Sequence, residues 1–362
     1  MKYLFHLGHP AHFHLFKNVI ANLKAKGNDV FILIKKKDVL EDLLEESGLE
    51  FQNILPDGRK DSFLSIGLGL LKQDWSVFKF CMKHRPNLMI GSSTSIAHVG
   101  KLLGIPSLVL GEDDTDIVPI FAKLTYPFTT TIMSPRICNN GKWDKQSIKY
   151  EGYHELAYLH PNNFHPDKTI AEKYVDTSGP YFLVRFAKLD AHHDVGISGI
   201  NDKIALRIIK LLEKSGKVYI TSERKFNNEL EPYRLNIKPI DIHHVMAYAS
   251  LYIGDSQTMA AEAGVLGIPF IRFNDFVGKI GYLRELEDTY KLGFGIRSKE
   301  EAQLFETINQ FLEQKNTKEE WQKKKKAMLS DKIDVAKFIT EFIENYPESV
   351  KKYQELPGFK IG

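Results

Sequence analysis

The sequence predicts an α/β protein built from two doubly wound, Rossmann-like domains, and three observations support this. With 362 residues, the chain is longer than one hydrophobic core usually supports, which favours two domains of about 150 to 180 residues. Short apolar, β-rich runs alternate with amphipathic helical runs, as in parallel sheets covered by helices on both faces. The alternation stops between Gly152 and Pro180 and then restarts.

In the first half, each strand pattern is followed by a helix pattern. The strand "KYLFHLG" precedes an amphipathic helix from about His12 to Lys26, which Gly27 ends. "DVFILIKK" and "VLEDLLEESG" repeat this pair. The later strands of this half are "NLMIGS", "PSLVLGE" and "TTTIMSP".

The second half repeats the same rhythm. Its predicted strands are "YFLVRFA", "KVYITSE", "SLYIGD" and "PFIRF", with helices between and after them. A final helix carries apolar residues on one face, and Ser330 or Asp331 is placed to cap it. A return across the linker to the first domain is one way to bury that face. Residues 1–155 are predicted to form the first domain and residues 156–180 the linker. Residues 181–329 are predicted to form the second domain, and residues 330–362 a C-terminal helix with a tail.

Composition excludes several classes of protein. A formal net charge of +3 is too small for this length to indicate a nucleic-acid-binding protein. Cys81 and Cys138 have no CxxC spacing, which is typical of a reducing compartment and excludes a cysteine-built zinc site. The N-terminus lacks the unbroken apolar core of a signal peptide, so we expect a cytoplasmic protein. The longest apolar stretch, residues 63–71, is shorter than the roughly 20 residues of a membrane-spanning helix.

The turn "GDSQTM" at residues 254–259 predicts a phosphate site. It follows a strand and opens a helix, and ligands of open α/β sheets lie beyond the carboxyl ends of strands. Gly254 permits close approach of the backbone, and the helix N-terminus and neighbouring hydroxyls favour an anion. Glu262 lies one turn beyond Thr258 on the same face, where a carboxylate can accept ribose hydroxyls. The alternative is that Ser256 only caps the helix and Glu262 is a solvated surface residue.

Other phosphate and metal motifs are not matched. The chain contains no GxxxxGK[ST], and "GFGIRS" lacks the third glycine and the strand-to-helix context of a dinucleotide fingerprint. "HELAYLH" differs from HExxH because Tyr158 stands at the position of the second histidine. These differences disfavour kinases, P-loop ATPases and simple dehydrogenases.

The segment "GDSQTMAAEAGVLGIPFIRF" resembles the donor-nucleotide segment of GT-B glycosyltransferases and of the related non-hydrolysing UDP-N-acetylglucosamine 2-epimerases. Nearly the whole chain resembles a bacterial and archaeal family of unknown function with GT-B architecture, through "GHPAHFHLFKN", "GYHELAYLHP" and "GDSQTMAAEAGVLGIP". The resemblance implies two Rossmann-like domains facing a cleft. It implies that Glu262 holds the ribose of a nucleotide sugar, and that the diphosphate is lined by Ser256, Gln257, Thr258 and Met259.

The loop "LGHPAHFHLF" supplies a candidate catalytic base, His12. It lies four residues after Gly8, as in the "GxGGH" turn of the peptidoglycan N-acetylglucosaminyltransferase, which this loop resembles. The unperturbed pKa of imidazole, about 6.5, suits proton transfer near neutral pH. A metal site built from the histidines of this loop is the alternative. It is disfavoured because His6 belongs to the predicted strand and no nearby carboxylate is evident.

The segment "GEDDTDIVP" places four carboxylates after a first-domain strand: Glu112, Asp113, Asp114 and Asp116. Asp114 is a candidate catalytic residue that acts as base, orients His12 or binds acceptor hydroxyls. "DTD" formally matches the metal-binding D-x-D of GT-A glycosyltransferases, but that fold has one nucleotide-binding domain and this chain has two. The simpler alternative is a helix N-cap, which explains one acidic residue easily and four poorly.

Arg185 ends the first strand of the second domain and is a candidate clamp for a phosphate or for developing leaving-group charge. A surface arginine paired with a carboxylate is the alternative. Further candidate site residues follow Arg185 in "AKLDAHHDVG". The segment "TSERKF" at residues 221–226 is placed to contact the nucleobase of the donor.

We therefore predict a metal-independent glycosyltransferase without a cofactor, moving a sugar from a nucleotide diphosphate sugar to a glycan or lipid-linked acceptor in polysaccharide biosynthesis. A nucleotide-sugar 2-epimerase is one alternative, disfavoured because its "GTRPE"-like loop is "GHPAHFH" here. A non-catalytic nucleotide-sugar-binding protein is the other. The apolar residues between 63 and 78 either cover the sheet or contact the inner face of the membrane, with Lys60 and Lys72 meeting anionic headgroups.

Overall fold

The computed structural model describes residues 1–37, 39–55, 63–186, 199–222 and 227–355, with the backbone alone at 63–66 and 355. The chain divides into two compact units. Unit 1 comprises Met1–Asn163 and Ile333–Gly362, and unit 2 comprises Phe164–Lys332. The C-terminal segment therefore belongs to the same unit as the N-terminus.

Unit 1 contains a seven-stranded, all-parallel sheet with the order β3-β2-β1-β4-β5-β6-β7. Its central strands are apolar and buried, as expected for a sheet covered on both faces. The strands are β1 (Lys2–Leu7), β2 (Asp29–Lys35), β3 (Gln52–Leu55), β4 (Leu88–Gly91), β5 (Ser107–Leu110), β6 (Thr131–Pro135) and β7 (Ser147–Tyr150).

Helices connect these strands and cover the sheet. The first begins with proline at its first position, which suits a helix N-terminus, and the His9 ring accepts a hydrogen bond from the Ala11 N–H. The helices of this part are α1 (Pro10–Ala25), α2 (Leu40–Glu46), α3 (Phe63–His84), α4 (Thr94–Leu103), α5 (Pro119–Thr125) and α6 (Leu156–Leu159), with 3₁₀ turns at Tyr126–Phe128 and Gly141–Gln146.

Unit 2 contains a five-stranded parallel sheet with the order β12-β11-β10-β8-β9. The strands are β8 (Tyr181–Phe186), β9 (Lys217–Ser222), β10 (Leu251–Gly254), β11 (Phe270–Phe273) and β12 (Gly293–Ile296). The helices are α7 (Lys168–Ala171), α8 (Asp202–Leu212), α9 (Ile242–Met246), α10 (Gln257–Leu266), α11 (Gly281–Arg284), α12 (Glu301–Glu313) and α13 (Thr317–Asp331). Shorter turns are the 3₁₀ segments Glu231–Tyr233 and Pro239–Asp241 and the π segment Glu285–Thr289.

The last two helices, α14 (Val335–Glu344) and α15 (Glu348–Glu355), pack in unit 1. Helix α14 lies against α1 and α6, so its apolar face is buried by a return to the first half of the chain. The predicted cap was wrong. Ser330 and Asp331 end α13, and Asp334 caps α14 by accepting the Lys337 N–H at 3.1 Å.

Both sheets have a topological switch point, where the chain leaves neighbouring strands in opposite directions. It lies between β1 and β4 in unit 1 and between β8 and β10 in unit 2. Ligands of open α/β sheets bind in the crevice at the carboxyl ends of such strands. The strand order therefore points to one candidate site in each unit.

Candidate functional site

The switch point of the second sheet brings together two segments that the sequence predicts to belong to a site. In the parallel pairing of β8 with β10, Arg185 lies opposite Gly254. A Cβ atom on Gly254 would lie 3.0 Å from the Arg185 Cβ and closer still to the Tyr252 hydroxyl. Gly254 is therefore required by the packing of its neighbours, which places the arginine beside the turn that opens α10.

Local hydrogen bonds determine the shape of the turn after β10. Ser256 is the N-cap of α10, and its hydroxyl accepts the Met259 N–H at 3.4 Å. Asp255 is buried: its carboxylate accepts the Ile200 N–H at 3.1 Å, and its carbonyl accepts the Asn274 side-chain amide at 2.9 Å. The predicted diphosphate residues 256–259 are half-buried, whereas residues 260–266 are buried. The first turn of α10 is thus the most exposed part of this helix.

Glu262 is not a solvated surface residue, which excludes that alternative for it. Its side chain is 5% exposed, and its Oε1 lies 2.9 Å from Nε2 of His243, which is 1% exposed. His243 belongs to α9, the helix before β10. A buried carboxylate normally needs a charged or hydrogen-bonding partner, and His243 supplies one.

Two buried polar atoms lie near the same turn. Within the described residues, the Gln257 Oε1 is buried and has no hydrogen-bond partner, and the buried Tyr252 hydroxyl lies beside the Ser256 side chain. Burial raises the pKa of Tyr252 well above its ordinary value, although Arg185 opposes the shift, so the phenol is neutral. Unsatisfied buried polar atoms are unusual in folded proteins, and they fit a place where a ligand or an ordered water completes the hydrogen bonding.

In unit 1 the switch point is lined by histidine and serine. His6 lies opposite Gly91 in the pairing of β1 with β4, and its Nδ1 is 2.5 Å from the Ser93 hydroxyl. Burial, with a smaller contribution from Lys35, lowers the pKa of His6 to about 3. His6 is therefore a neutral side chain that ties β1 to the segment after β4.

His12 lies in the first turn of α1, at the carboxyl end of β1. Its Nδ1 accepts the backbone N–H of Gly8 at 3.1 Å, and its ring lies 6.1 Å from the ring of His9. Burial first, and then the positive or protonatable groups around it, lower the pKa of His12 well below its ordinary value. The structure thus places His12 at the edge where a ligand is expected and keeps its ring neutral.

The four acidic residues after β5 have different surroundings. The Asp114 carboxylate accepts the Asn139 N–H at 2.6 Å, so it ties this loop to the loop after β6. Asp113 and Asp116 are exposed. The N-cap position of α5 is Val118, so none of the four caps that helix.

Glu112 instead turns towards the segment after β7. Its Oε1 accepts the His154 N–H at 2.6 Å, and its Oε2 lies 3.4 Å from the His154 Nδ1. Burial, and then the neighbouring Glu155 carboxylate, raise the pKa of Glu112 well above its ordinary value. Burial lowers the pKa of His154 to about 3. The loops after β5 and β7 therefore form one polar cluster at the carboxyl edge of the sheet.

Some sequence candidates lie outside the described residues: Lys188, His192, His193, Asp194 and the segment 223–226. In the parts of the chain that the structure describes, no three His, Cys, Asp or Glu side chains are grouped so that they could hold one metal ion.

Comparisons with known proteins agree with this architecture. The family model described as "Protein of unknown function (DUF354)" matches residues 2–346. The chain belongs to this family. No curated protein matches the sequence.

Solved structures with the same fold as this DUF354 chain include nucleotide-sugar enzymes. MnaA from S. aureus with UDP has a TM-score of 0.68 and 11% identity, over 100% of both chains. UDP-GlcNAc 2-epimerase from Neisseria meningitidis bound to UDP-GlcNAc has a TM-score of 0.63 and 14% identity, over 95% of this chain and 100% of that one. The spinosyn rhamnosyltransferase SpnG with thymidine diphosphate has a TM-score of 0.63 and 15% identity, over 95% of this chain and 100% of that one. These likenesses confirm the predicted GT-B fold.

The sequence reasoning missed several residues of the DUF354 chain that the fold brings to the two edges. His243 lies within the helix pattern "IHHVMAYA" and Tyr252 within the strand pattern "SLYIGD", and neither pattern indicates a site. His154 and Glu155 lie in "HELAYLH", which differs from the zinc motif HExxH and so does not indicate a site. The sequence does contain a signal for the histidines and Glu155. Charged or imidazole side chains close to a buried β-strand are costly to bury without a partner, so they indicate a paired polar site.

Proposed function

We propose that this protein is a glycosyltransferase that binds a nucleotide diphosphate sugar in unit 2 and transfers the sugar to a glycan or lipid-linked acceptor. One observation carries the proposal: the strand register sets Arg185 beside Gly254 at the switch point, next to the first turn of α10. A cation, a glycine-containing turn and a helix N-terminus form a site for a diphosphate. The binding of UDP, UDP-GlcNAc and thymidine diphosphate by proteins of the same fold supports this choice of ligand.

In this proposal unit 2 holds the donor. Residues 256–259 contact the diphosphate through side chains and backbone N–H groups, and Arg185 neutralises the charge that develops on the leaving group. Glu262 accepts ribose hydroxyls while His243 holds its carboxylate in place. In unit 1, His12 and Asp114 are proposed to act on the acceptor.

The first test is a screen of nucleotide diphosphates and nucleotide sugars by thermal stabilisation. A ligand that binds only the native state adds about 2.7 kcal/mol to stability at 100 times its Kd. We expect UDP, UDP-sugars or thymidine diphosphate sugars to stabilise the protein, whereas adenosine monophosphate serves as a control without a diphosphate. If no nucleotide diphosphate shifts the melting temperature, the proposal is wrong.

Product analysis then separates three functions. Release of nucleotide diphosphate indicates transfer, a changed sugar that remains attached indicates epimerisation, and unchanged ligand indicates binding alone. We also expect turnover to persist in EDTA, because Arg185 and the helix N-terminus stabilise the leaving group in this proposal. A strict requirement for added magnesium or manganese would instead assign a metal-binding role to Asp114 and Asp116.

Helix α3 offers a surface for a membrane-bound acceptor. Leu68, Leu71 and Trp75 are exposed by 60%, 65% and 60%. Lys72 and Lys79 are exposed on the same helix. Lys60 and the side chains of Phe63, Leu64 and Ile66 lie outside the described residues.

Helix α5 and the 3₁₀ turn after it carry further exposed apolar residues near α3. His98 of α4 contacts Asp74 of α3 at 2.9 Å and the Leu124 carbonyl of α5 at 2.9 Å, so the three helices are adjacent. Leu124 and Phe128 are exposed by 43% and 41%. No helix among the described residues is long and apolar enough to cross a bilayer. We propose that this surface lies against the inner face of the membrane, with leucines in the lipid boundary and lysines at anionic headgroups.

Replacing Leu68 and Leu71 together with serine is expected to weaken sedimentation with vesicles rich in anionic lipid. Full burial of a leucine contributes about 1.5–3 kcal/mol, so losing two partly inserted leucines should lower partitioning by roughly ten-fold or more. The melting temperature should stay the same because both side chains are exposed in the fold. Phe294→Ser, at a 41% exposed position of unit 2, is the matched control. Equal sedimentation of the double variant and the unaltered protein would contradict the membrane contact.

A further inference from the structure

The sequence suggests His12 as a base, but its hydrogen bond to Gly8 points to a different chemical role. A backbone N–H can only donate, so the Nδ1 that accepts it at 3.1 Å carries a lone pair and no proton. In the neutral ring the proton is then on Nε2. A neutral imidazole in this tautomer offers a hydrogen-bond donor at Nε2 and has its acceptor nitrogen already occupied.

The groups that face His12 also disfavour a second proton on its ring. They are His9 at the N-cap of α1, Lys35 on β2, His154 after β7 and His6 on β1. Lys35 carries a positive charge, whereas burial lowers the pKa of His6 and of His154 to about 3 and keeps both neutral near pH 7. The N-terminus of α1, where His12 lies, adds a partial positive charge. A positively charged imidazole at this place would lose the Gly8 hydrogen bond and face like charges.

We infer that His12 acts as a neutral hydrogen-bond donor, whose Nε2–H binds an oxygen of the substrate, and that it does not take up the proton of the acceptor hydroxyl. This inference rests on the proposed transfer reaction and specifies the role of one of its residues. A histidine kept neutral at a helix N-terminus in order to donate is a known solution in enzymes.

The transfer step can be written with this assignment. The acceptor oxygen forms a bond to the anomeric carbon, and the bond from that carbon to the diphosphate oxygen breaks, with its electron pair remaining on the diphosphate. The acceptor proton goes to a carboxylate, for which Glu112 and Asp114 are the candidates in unit 1. His12 keeps its Nε2 proton throughout.

The first test reads the tautomer directly in the free protein. In ¹⁵N NMR of histidine-labelled protein, protonated and unprotonated ring nitrogens have distinct chemical shifts, and His12→Gln identifies the His12 signals by their loss. We expect Nε2 protonated and Nδ1 unprotonated between pH 5.5 and about 8. A proton on Nδ1 with Nε2 free, or uptake of a second proton near pH 6.5, overturns the inference.

The second test uses two substitutions of His12. Their effects on the rate differ according to whether His12 donates a hydrogen bond or acts as a base. The amide of glutamine can donate from about the position of Nε2 but cannot accept a proton near neutral pH, whereas alanine can do neither. With UDP-GlcNAc as the probe, we expect His12→Ala to lower the kcat of UDP release roughly a hundred-fold and His12→Gln to stay within about ten-fold of the unaltered protein. Equal, large losses in both variants overturn the inference, because that is the behaviour of a base.

Two controls separate this inference from the proposed function. UDP affinity, measured by calorimetry, should be unchanged in both variants because the proposed nucleotide site lies in unit 2. His84→Gln is the matched histidine control: the His84 carbonyl contacts Lys2 at the opposite edge of the same sheet. If the unaltered protein binds no nucleotide or releases no UDP, the proposed function fails, and the NMR measurement still decides the state of His12.

Discussion

Replacing Arg272 with methionine is expected to lower the free energy of unfolding of unit 2 by about 3–5 kcal/mol, the cost of leaving one buried charge without its partner. Arg272 is fully buried on β11. Its Nε donates to Glu287 at 2.9 Å, and a second guanidinium nitrogen donates to the other carboxylate oxygen at 3.1 Å. For a unit of this size the melting temperature should fall by roughly 6–20 °C.

The same substitution should weaken nucleotide binding, because Arg272 supports the turn before α10. Its guanidinium reaches the Asn274 side-chain oxygen at 3.5 Å, and the Asn274 amide donates to the Asp255 carbonyl at 2.9 Å. Calorimetry with UDP, at a temperature where the variant is folded, measures this effect.

A double variant tests whether the loss arises from the unpaired charge. Arg272→Met combined with Glu287→Leu removes both charges, and apolar pairs of similar volume often replace buried ion pairs at little cost. We expect the double variant to be more stable than Arg272→Met alone. Equal instability of the two proteins would mean that packing, and not charge pairing, is what the arginine provides.

Replacing Glu262 with glutamine is expected to raise the Kd of UDP by roughly ten- to hundred-fold, which corresponds to about 1.5–3 kcal/mol for a lost charge-assisted hydrogen bond. Glutamine keeps the size of the side chain and can still contact His243. Alanine is a poorer choice, because it would leave buried His243 without the carboxylate 2.9 Å from its ring and so destabilise the fold. Calorimetry gives the affinity, and thermal melting verifies the fold.

The neighbouring histidines provide the control for this measurement. His243 contacts Glu262, whereas His244 accepts the Asp167 N–H at 3.0 Å on the surface. At a temperature where the variant is folded, we expect His243→Ala to weaken UDP binding in the same direction as Glu262→Gln, and His244→Ala to leave it unchanged. Unchanged UDP affinity in Glu262→Gln would refute the ribose assignment.

The fold was predictable because it depends on local patterns repeated along the chain. Strands such as Tyr181–Phe186 and Leu251–Gly254 were recognised from their apolar runs, and parallel sheets follow from helices between them. The cap of the last helix was misplaced because α13 and α14 are separated by only Lys332, Ile333 and Asp334. Ser330, Asp331 and Asp334 are all chemically able to cap, and only the backbone geometry selects Asp334.

The candidate nucleotide site was predictable in outline, since a glycine, a serine and a helix follow one strand directly. The residues that support this site from elsewhere in the chain were not predictable. His243 precedes β10, and Arg272 lies on β11, so neither adjoins the "GDSQTM" turn in sequence. Their roles depend on which side chains meet when strands pair and helices pack.

The sequence by itself determined the alternation of strands and helices, the presence of two parallel sheets, and the residue types at the carboxyl ends of their strands. The tertiary structure decided which of these residues are paired, buried or neutral. His12 illustrates the difference: its position was evident from the sequence, whereas its tautomer depends on the Gly8 N–H and its charge on burial and then on groups from several parts of unit 1. Protonation and hydrogen bonding depend on distances in space, which hydrophobic periodicity along the chain does not encode.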